Sequence, residues 1–293
     1  MICNDCPRSC GAERTETTSG GVCASPSLAR IARAALHFGE EPCISGERGS
    51  GTVFFTGCNL RCVFCQNHDI SRGGVGKTVS AERLRDIFFE LRDKGVHNIN
   101  LVTASHFVPE VVKALELAKL DIPVAWNSSG YDSVETLKRL EGLVQIYMPD
   151  LKYLDSSLAR RYSLAPDYPE VATAAIREMY RQVGSFVLDD DDMLKSGVLI
   201  RHLILPDAME NSRAVIDFVA DNFPGDKVLF SLMSQFTPMP DTEKYPELQR
   251  RITTEENDSL CDYMALRGIE YGFWQEPDSA TDEMIPKFDN TGV

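Results

Sequence analysis

From residue 51 onward the chain alternates short apolar runs with amphipathic stretches, and no other feature restricts its fold as strongly. GTVFFT at 51–56 is followed by SAERLRDIFFELRDKG at 80–95, NINLVT at 98–103 by VPEVVKALELAKL, and IPVAWNS at 122–128 by SVETLKRLEG. VQIYMPDLK at 144–152 leads into a helical region reaching residue 186 or so, GVLIRHLIL at 197–205 into SRAVIDFVADNF, and KVLFSLMS at 227–234 into a polar loop and TTEENDSLCDYMALRG. Strand followed by helix, repeated in this way, predicts an α/β fold with a parallel sheet. Right-handed crossovers then put every strand's C-terminal end on one rim, where sites collect. The chemically suggestive segments all follow strands: a cysteine loop after the first, Ala104-Ser105-His106 after the second, NSSG after the third and PDLK at the end of the fourth. The alternation by itself fits either a barrel or an open doubly wound sheet.

Residues 1–50 lack this alternation apart from the Ala-rich SLARIARAALHF, which Gly and Pro punctuate on both sides. We read 1–50 as a cysteine-rich N-terminal module and 51–293 as the catalytic core. A formal net charge of -14 disfavours nucleic acid and anionic membrane as partners. No apolar run is long enough to cross a bilayer, and MICNDCPRSC has neither the basic nor the apolar region of a secretory leader, so the expected location is the cytoplasm. DDDD at 189–192 reads as a solvated loop, since adjacent carboxylates repel.

Eight of the nine cysteines fall before residue 66, a clustering that favours metal over disulfides in a reducing compartment. Cys58, Cys62 and Cys65, in GCNLRCVFCQN directly after a strand, offer three thiolates on one loop. Iron–sulfur clusters ordinarily take four, so three leave one iron open to an exogenous ligand. A zinc knuckle borrowing Cys43 or His68 is the plainer alternative, but its spacing is poor for paired knuckles. Phe64, beside the last cysteine, is placed to shield a cluster and touch its cofactor, or simply to pack. Cys3, Cys6, Cys10 and Cys23 supply four thiolates, enough to close a second site, either structural zinc or an auxiliary 4Fe-4S cluster, with Cys43 as a substitute ligand. Cys261, within a helical pattern, reads as core.

Cys-x3-Cys-x-aromatic-Cys, present as Cys58, Cys62, Phe64 and Cys65, resembles the hallmark of the radical SAM superfamily. The wider string, from EEPCISGERGSGTVFFTGCNLRCVFCQNHDIS through NINLVTASHFVP to MPDLKY, RHLILP and SQFTP, is similar to the group related to pyruvate formate-lyase activating enzyme. The resemblance implies a partial (β/α)6 TIM-type barrel. It also implies a reduced 4Fe-4S cluster that chelates S-adenosylmethionine and cleaves it to methionine and a 5′-deoxyadenosyl radical. A low-potential electron donor such as flavodoxin or ferredoxin is implied too, with a protein, peptide or small molecule as substrate.

Carried over position by position, the resemblance departs in two places. Thr103, Ala104, Ser105 and His106 stand where activating enzymes have Gly-Gly-Glu, leaving backbone carbonyls and Ser105 as candidates for the cofactor's ammonium and His106 for either the cofactor or the substrate. Asn127, Ser128, Ser129 and Gly130 replace an acidic residue followed by Thr-Asn-Gly, leaving Asn127 and Ser129 for the methionine moiety. Asp150 and Lys152 match the group's Asp-x-Lys; two apart on a strand, they face the same side and are the candidate catalytic pair. Arg201 matches the arginine that helps hold the cofactor's carboxylate, whereas adjacent His202 must face the other way. Gln235 and Thr237 are weaker candidates. The expected function is hydrogen abstraction by a radical SAM enzyme, including activation of a glycyl radical enzyme. The rival is a non-catalytic iron–sulfur or zinc protein that senses redox state or scaffolds a partner.

Overall fold

In the computed structural model, which describes residues 2–72, 74–225, 227–275 and 286–293, each of the six apolar runs forms a strand. The strands are β1 (Ala29–His37), β2 (Ser50–Phe55), β3 (Lys77–Val79), β4 (Ile99–Val102), β5 (Val124–Ser128), β6 (Ile146–Pro149), β7 (Val187–Leu188), β8 (Leu194–Leu203), β9 (Leu229–Met233) and β10 (Gly272–Trp274). The helices are α1 (Pro42–Ser45), α2 (His68–Ser71), α3 (Ala81–Arg92), α4 (Val108–Ala118), α5 (Val134–Lys138), α6 (Ser156–Ser163), α7 (Tyr168–Val183), α8 (Met209–Asn222) and α9 (Thr254–Leu266).

The sheet runs β10-β9-β8-β6-β5-β4-β2-β1-β3, parallel from β2 through β10. Its path ends at β10 and β3 without closing, so the α/β architecture is an open partial barrel. β1 and β3 add an antiparallel edge, and β7 forms a hairpin with β8 around the Asp189–Asp192 turn, where Asp189 Oδ1 accepts the N–H groups of Asp191 and Met193. The helical region after β6 is two helices, parted at Leu164, whose φ of 51° is left-handed. The sequence division after residue 50 falls inside β2, whose first residue is Ser50, and β1 on its other side pairs with that strand, Ala34 opposite Val53.

Alternation along each strand sorts side chains to two environments. Outward residues such as Phe55, Leu101, Trp126, Tyr147 and Phe230 join the main core beneath the helices. Inward, Ala125, Ile146, Met148, Leu199 and Leu229 pack with Cys43 and Ile44 of α1. Because β1 ends opposite the start of β2, α1 lies at the N-terminal end of the strands and plugs the barrel floor. Cys43 is therefore core at the opposite end from the cysteine loop, which removes it as a ligand for either cysteine set. No helix among the described residues is long and apolar enough to cross a membrane.

Candidate active site

β2 delivers the chain into the cysteine loop through Gly57, whose φ is 89°. A Cβ there would stand 2.2 Å from Ser25 Oγ and 2.5 Å from the Cys23 carbonyl, so only glycine lets the N-terminal module lie this close to the loop. Arg8 fixes the loop from above by donating to the carbonyls of Asn59 (2.8 Å), Leu60 (3.3 Å) and Ser163 (2.9 Å). The Leu60 N–H points at Cys58 Sγ (3.4 Å) and Ser163 Oγ at Cys62 Sγ (3.0 Å). Phe64 packs into an aromatic cluster with Tyr153, Tyr162 and Phe236, its centroid 6.2–6.4 Å from theirs.

Burial, reinforced by the Cys58 and Cys62 sulfurs, pushes the Cys65 thiol up to about 12. Such thiols stay protonated near neutrality unless a cation replaces their protons, and a trio of sulfur donors suits a thiophilic metal such as iron. Among the described residues no three His, Cys, Asp or Glu side chains are gathered around a single-ion position. The three cysteines share the one loop that follows β2.

Beneath the loop lies a charged lumen. Arg201 points inward from β8, its Nε 3.1 Å from Asp150 Oδ1 and its NH2 2.6 Å from Asn127 Oδ1. Lys152 Nζ donates to Asp150 Oδ2 at 2.6 Å. Burial alone raises Asp150, but Lys152 and Arg201 outweigh it and hold the carboxyl below its usual range. Burial likewise lowers Lys152, yet Asp150 and then the Cys62 sulfur raise it further, so the ammonium stays charged beside the cysteines. The sequence pair Asp150 and Lys152 thus meets as expected from the strand period, together with Arg201 and Asn127.

A residue to which the sequence assigned no role completes the group. Glu40, in the loop before α1, accepts from Asn100 Nδ2 and Asn127 Nδ2 on one oxygen and from Arg201 NH1 on the other, each at 3.0 Å. Its neighbour Glu41 is buried and raised by that burial, an effect Arg201 opposes and Glu40 reinforces. Tyr168 was also illegible: its hydroxyl accepts the Lys152 N–H (2.9 Å) and lies 2.8 Å from the Ser129 and Asp150 carbonyls.

The remaining candidates separate. Ser129 Oγ is buried with no hydrogen-bond partner, leaving it open to a ligand. Ser105 bonds to buried Asp132, which Ser128 Oγ also contacts. His106 Nε2 lies 3.0 Å from the Thr56 carbonyl, and burial pushes its pKa down to about 4, so it is a neutral donor to that carbonyl, with Nδ1 unpartnered. His202 faces outward, between the Leu151 carbonyl (2.7 Å) and Ser212 Oγ (2.9 Å). Gln235 and Thr237 are half-buried, and Gln235 Oε1 lacks a partner.

In the N-terminal module Cys3, Cys6 and Cys23 are buried and Cys10 is exposed. Burial pushes Cys6 up to about 11, against the Arg8 N–H, and Cys23, Cys3 and Cys10 all add to the rise, so the four sulfurs share one neighbourhood. Buried Arg14 donates to Cys3 Sγ (3.1 Å) and to the His106 carbonyl (3.0 Å), tying these thiols to the loop after β4.

Residues 52–188 match the family model of the radical SAM superfamily, a span that takes in the three-cysteine loop, Asn127, Asp150 and Lys152. Those residues form a radical SAM domain. An uncharacterized protein of Methanocaldococcus jannaschii is 31% identical over 232 residues, which cover 75% of this chain and 62% of that protein. The radical SAM domain's open sheet is shared by Streptococcus suis SuiB bound to S-adenosylmethionine (TM-score 0.50, 16% identity, 78% of this chain and 46% of that one). Methylornithine synthase has a similar likeness (TM-score 0.51, 15% identity, 74% and 68%). These likenesses speak for the fold of the radical SAM domain, a partial barrel.

Proposed function

We propose that the chain is an enzyme in which Cys58, Cys62 and Cys65 hold a 4Fe-4S cluster whose remaining iron takes S-adenosylmethionine. The observation that carries this reading is the lysine of the lumen: Lys152 is joined to Asp150 and close enough to Cys62 and Cys65 for their charges to couple. A cation held beside two of the three thiols, at the C-terminal ends of parallel strands, suits a negatively charged cluster and an anionic ligand group. The bound cofactor supplies the hydrogen-abstracting group. The chain's own residues orient its partner and exclude water, with Asp150 and Lys152 facing the cofactor and Ser129 Oγ as an acceptor for the cofactor's ammonium.

Ser105, His106, Asn127 and Phe64 serve this site by fixing its walls, since each is already engaged by protein groups. The substrate is a hydrogen donor, and activation of a glycyl radical enzyme belongs to this reading. A low-potential donor such as flavodoxin or ferredoxin delivers the electron in the cytoplasm. The thiols of Cys3, Cys6, Cys10 and Cys23 form a second metal site.

Anaerobic reconstitution followed by electron paramagnetic resonance tests this. The reduced wild-type protein should change its cluster signal on adding S-adenosylmethionine and release 5′-deoxyadenosine under strong reductant. Cys58→Ala, Cys62→Ala and Cys65→Ala should each abolish both. A signal that persists in those variants assigns the iron elsewhere, and a wild type that makes no 5′-deoxyadenosine is not a radical enzyme.

A further inference from the structure

Arg201 spends its guanidinium on the protein. Nε meets Asp150 at 3.1 Å, NH1 meets Glu40 at 3.0 Å and NH2 meets Asn127 at 2.6 Å, so each of its three nitrogens has an acceptor. The side chains of Glu40, Arg201, Asp150 and Lys152 are 9–16% exposed and form one bonded series from barrel floor to rim. Glu40 anchors its lower end through Asn100 on β4 and Asn127 on β5, while Arg201 comes from β8. The upper end is Lys152, which gives Asp150 one of its three N–H donors.

We propose that Glu40 is a positioning residue that holds Arg201 as part of the frame, so that Lys152, not Arg201, is the cation presented to the carboxylate of the bound cofactor. This rests on the radical SAM reading above. An arginine that gripped the cofactor would have to give up charge-assisted bonds to two carboxylates that remain buried beside it, whereas Lys152 has donors to spare. Removing the Glu40 charge frees the guanidinium to swing toward Asp150 and compete with Lys152 for that carboxylate. The rim cation then loses its fixed position although Glu40 never touches the cofactor.

Two measurements decide it. In metal-free protein, denaturation of Glu40→Gln, Asp150→Asn and the double variant gives the coupling between two side chains that are joined only through Arg201. That coupling should be present with Arg201 and vanish in an Arg201→Met background, because it passes through the guanidinium. Additive effects with Arg201 in place overturn the series. In reconstituted protein, S-adenosylmethionine titrated against the cluster's paramagnetic signal should bind Glu40→Gln about tenfold more weakly, the order of one charge-assisted hydrogen bond, at unchanged iron and sulfide content.

Glu40→Gln combined with Arg201→Met should bind no more weakly than Arg201→Met alone. Wild-type affinity in Glu40→Gln, or losses that add in the double variant, overturns the role of Glu40 and leaves the radical SAM reading standing. A wild-type protein whose signal ignores S-adenosylmethionine overturns that reading and the proposal with it. Should Glu40→Gln fail to fold, Asn100→Ala removes one of the amides aiming Glu40 while keeping its charge. It should weaken binding by about threefold, a fraction of the same interaction, and unchanged affinity there also overturns the proposal.

Discussion

Arg201 and His202 are consecutive on β8 and occupy opposite environments, one in the charged lumen and the other under α8. The strand period made that separation legible, as it did the shared side of Asp150 and Lys152. It could not show that Ser105 turns to Asp132 or that His106 is satisfied by the Thr56 carbonyl, because loop side chains after a strand have no fixed period. His202 carries a testable consequence. Burial drives its pKa from the usual 6.5 to about 4, against the Leu151 carbonyl, which favours the charged ring. Between those values the unfolded chain binds a proton that the native ring refuses, so the stability it contributes is present above pH 6.5 and is lost progressively as pH falls from 6.5 to 4. The loss amounts to about 3 kcal/mol for a shift of this size. In denaturant titrations of metal-free protein, His202→Gln should lose less stability than wild type between pH 7 and pH 4.5. Equal losses would place the acid sensitivity elsewhere.

Elements that carry their own hydrophobic period were readable, and elements formed by their neighbours were not. β2, β4, β5, β6, β8 and β9 are the six apolar runs, while β1 is an Ala-rich segment with arginines at 30 and 33 that becomes a strand because β2 offers its edge. β10 has three residues, too few for any period, and exists by pairing with β9. Glu40 lay hidden for the same reason: its position depends on β1 turning at the floor and α1 plugging it. The site also depends on where elements end. At the ends of β5 and β6, Gly130 has a φ of 74° and a Cβ there would stand 2.1 Å from the Asp150 carbonyl, so the two strand ends close together over a glycine. Tyr168, at the start of α7, then bridges them. Tyr168→Phe leaves the Lys152 N–H without its acceptor and should cost about 1–3 kcal/mol in chemical denaturation. It should also weaken S-adenosylmethionine binding, since the backbone carrying Lys152 loosens. A stable variant with unchanged binding would show that the bridge does not set the lysine's position.

Across the whole molecule, the cysteine-bearing segment before β1 and the barrel meet at the three-cysteine loop. The Cys23 carbonyl and Ser25 Oγ sit against Gly57, Arg14 joins Cys3 to the His106 carbonyl, Arg61 donates to the Val22 carbonyl at 3.2 Å, and Arg8 spans the loop to the end of α6. The 28 residues before β1 are too few for a core of their own, and small units of that kind are commonly closed by metal. The segment's four thiols are neighbours, and the buried guanidinium of Arg14 donates to one of them, Cys3 Sγ, at 3.1 Å. The two cysteine sets should therefore load independently but stabilise each other. A Cys58→Ala, Cys62→Ala, Cys65→Ala variant should retain one metal centre, identified by metal and sulfide analysis as zinc or an iron–sulfur cluster. Adding Cys6→Ser and Cys10→Ser should remove it. In otherwise wild-type protein the Cys6→Ser, Cys10→Ser pair should leave the catalytic cluster assembled but faster to bleach in air, because the module that covers Gly57 and Cys58 loses its closure. A triple variant purified and reconstituted without any bound metal would make the N-terminal thiols structural bystanders, with Arg8 and Arg14 alone holding the module in place.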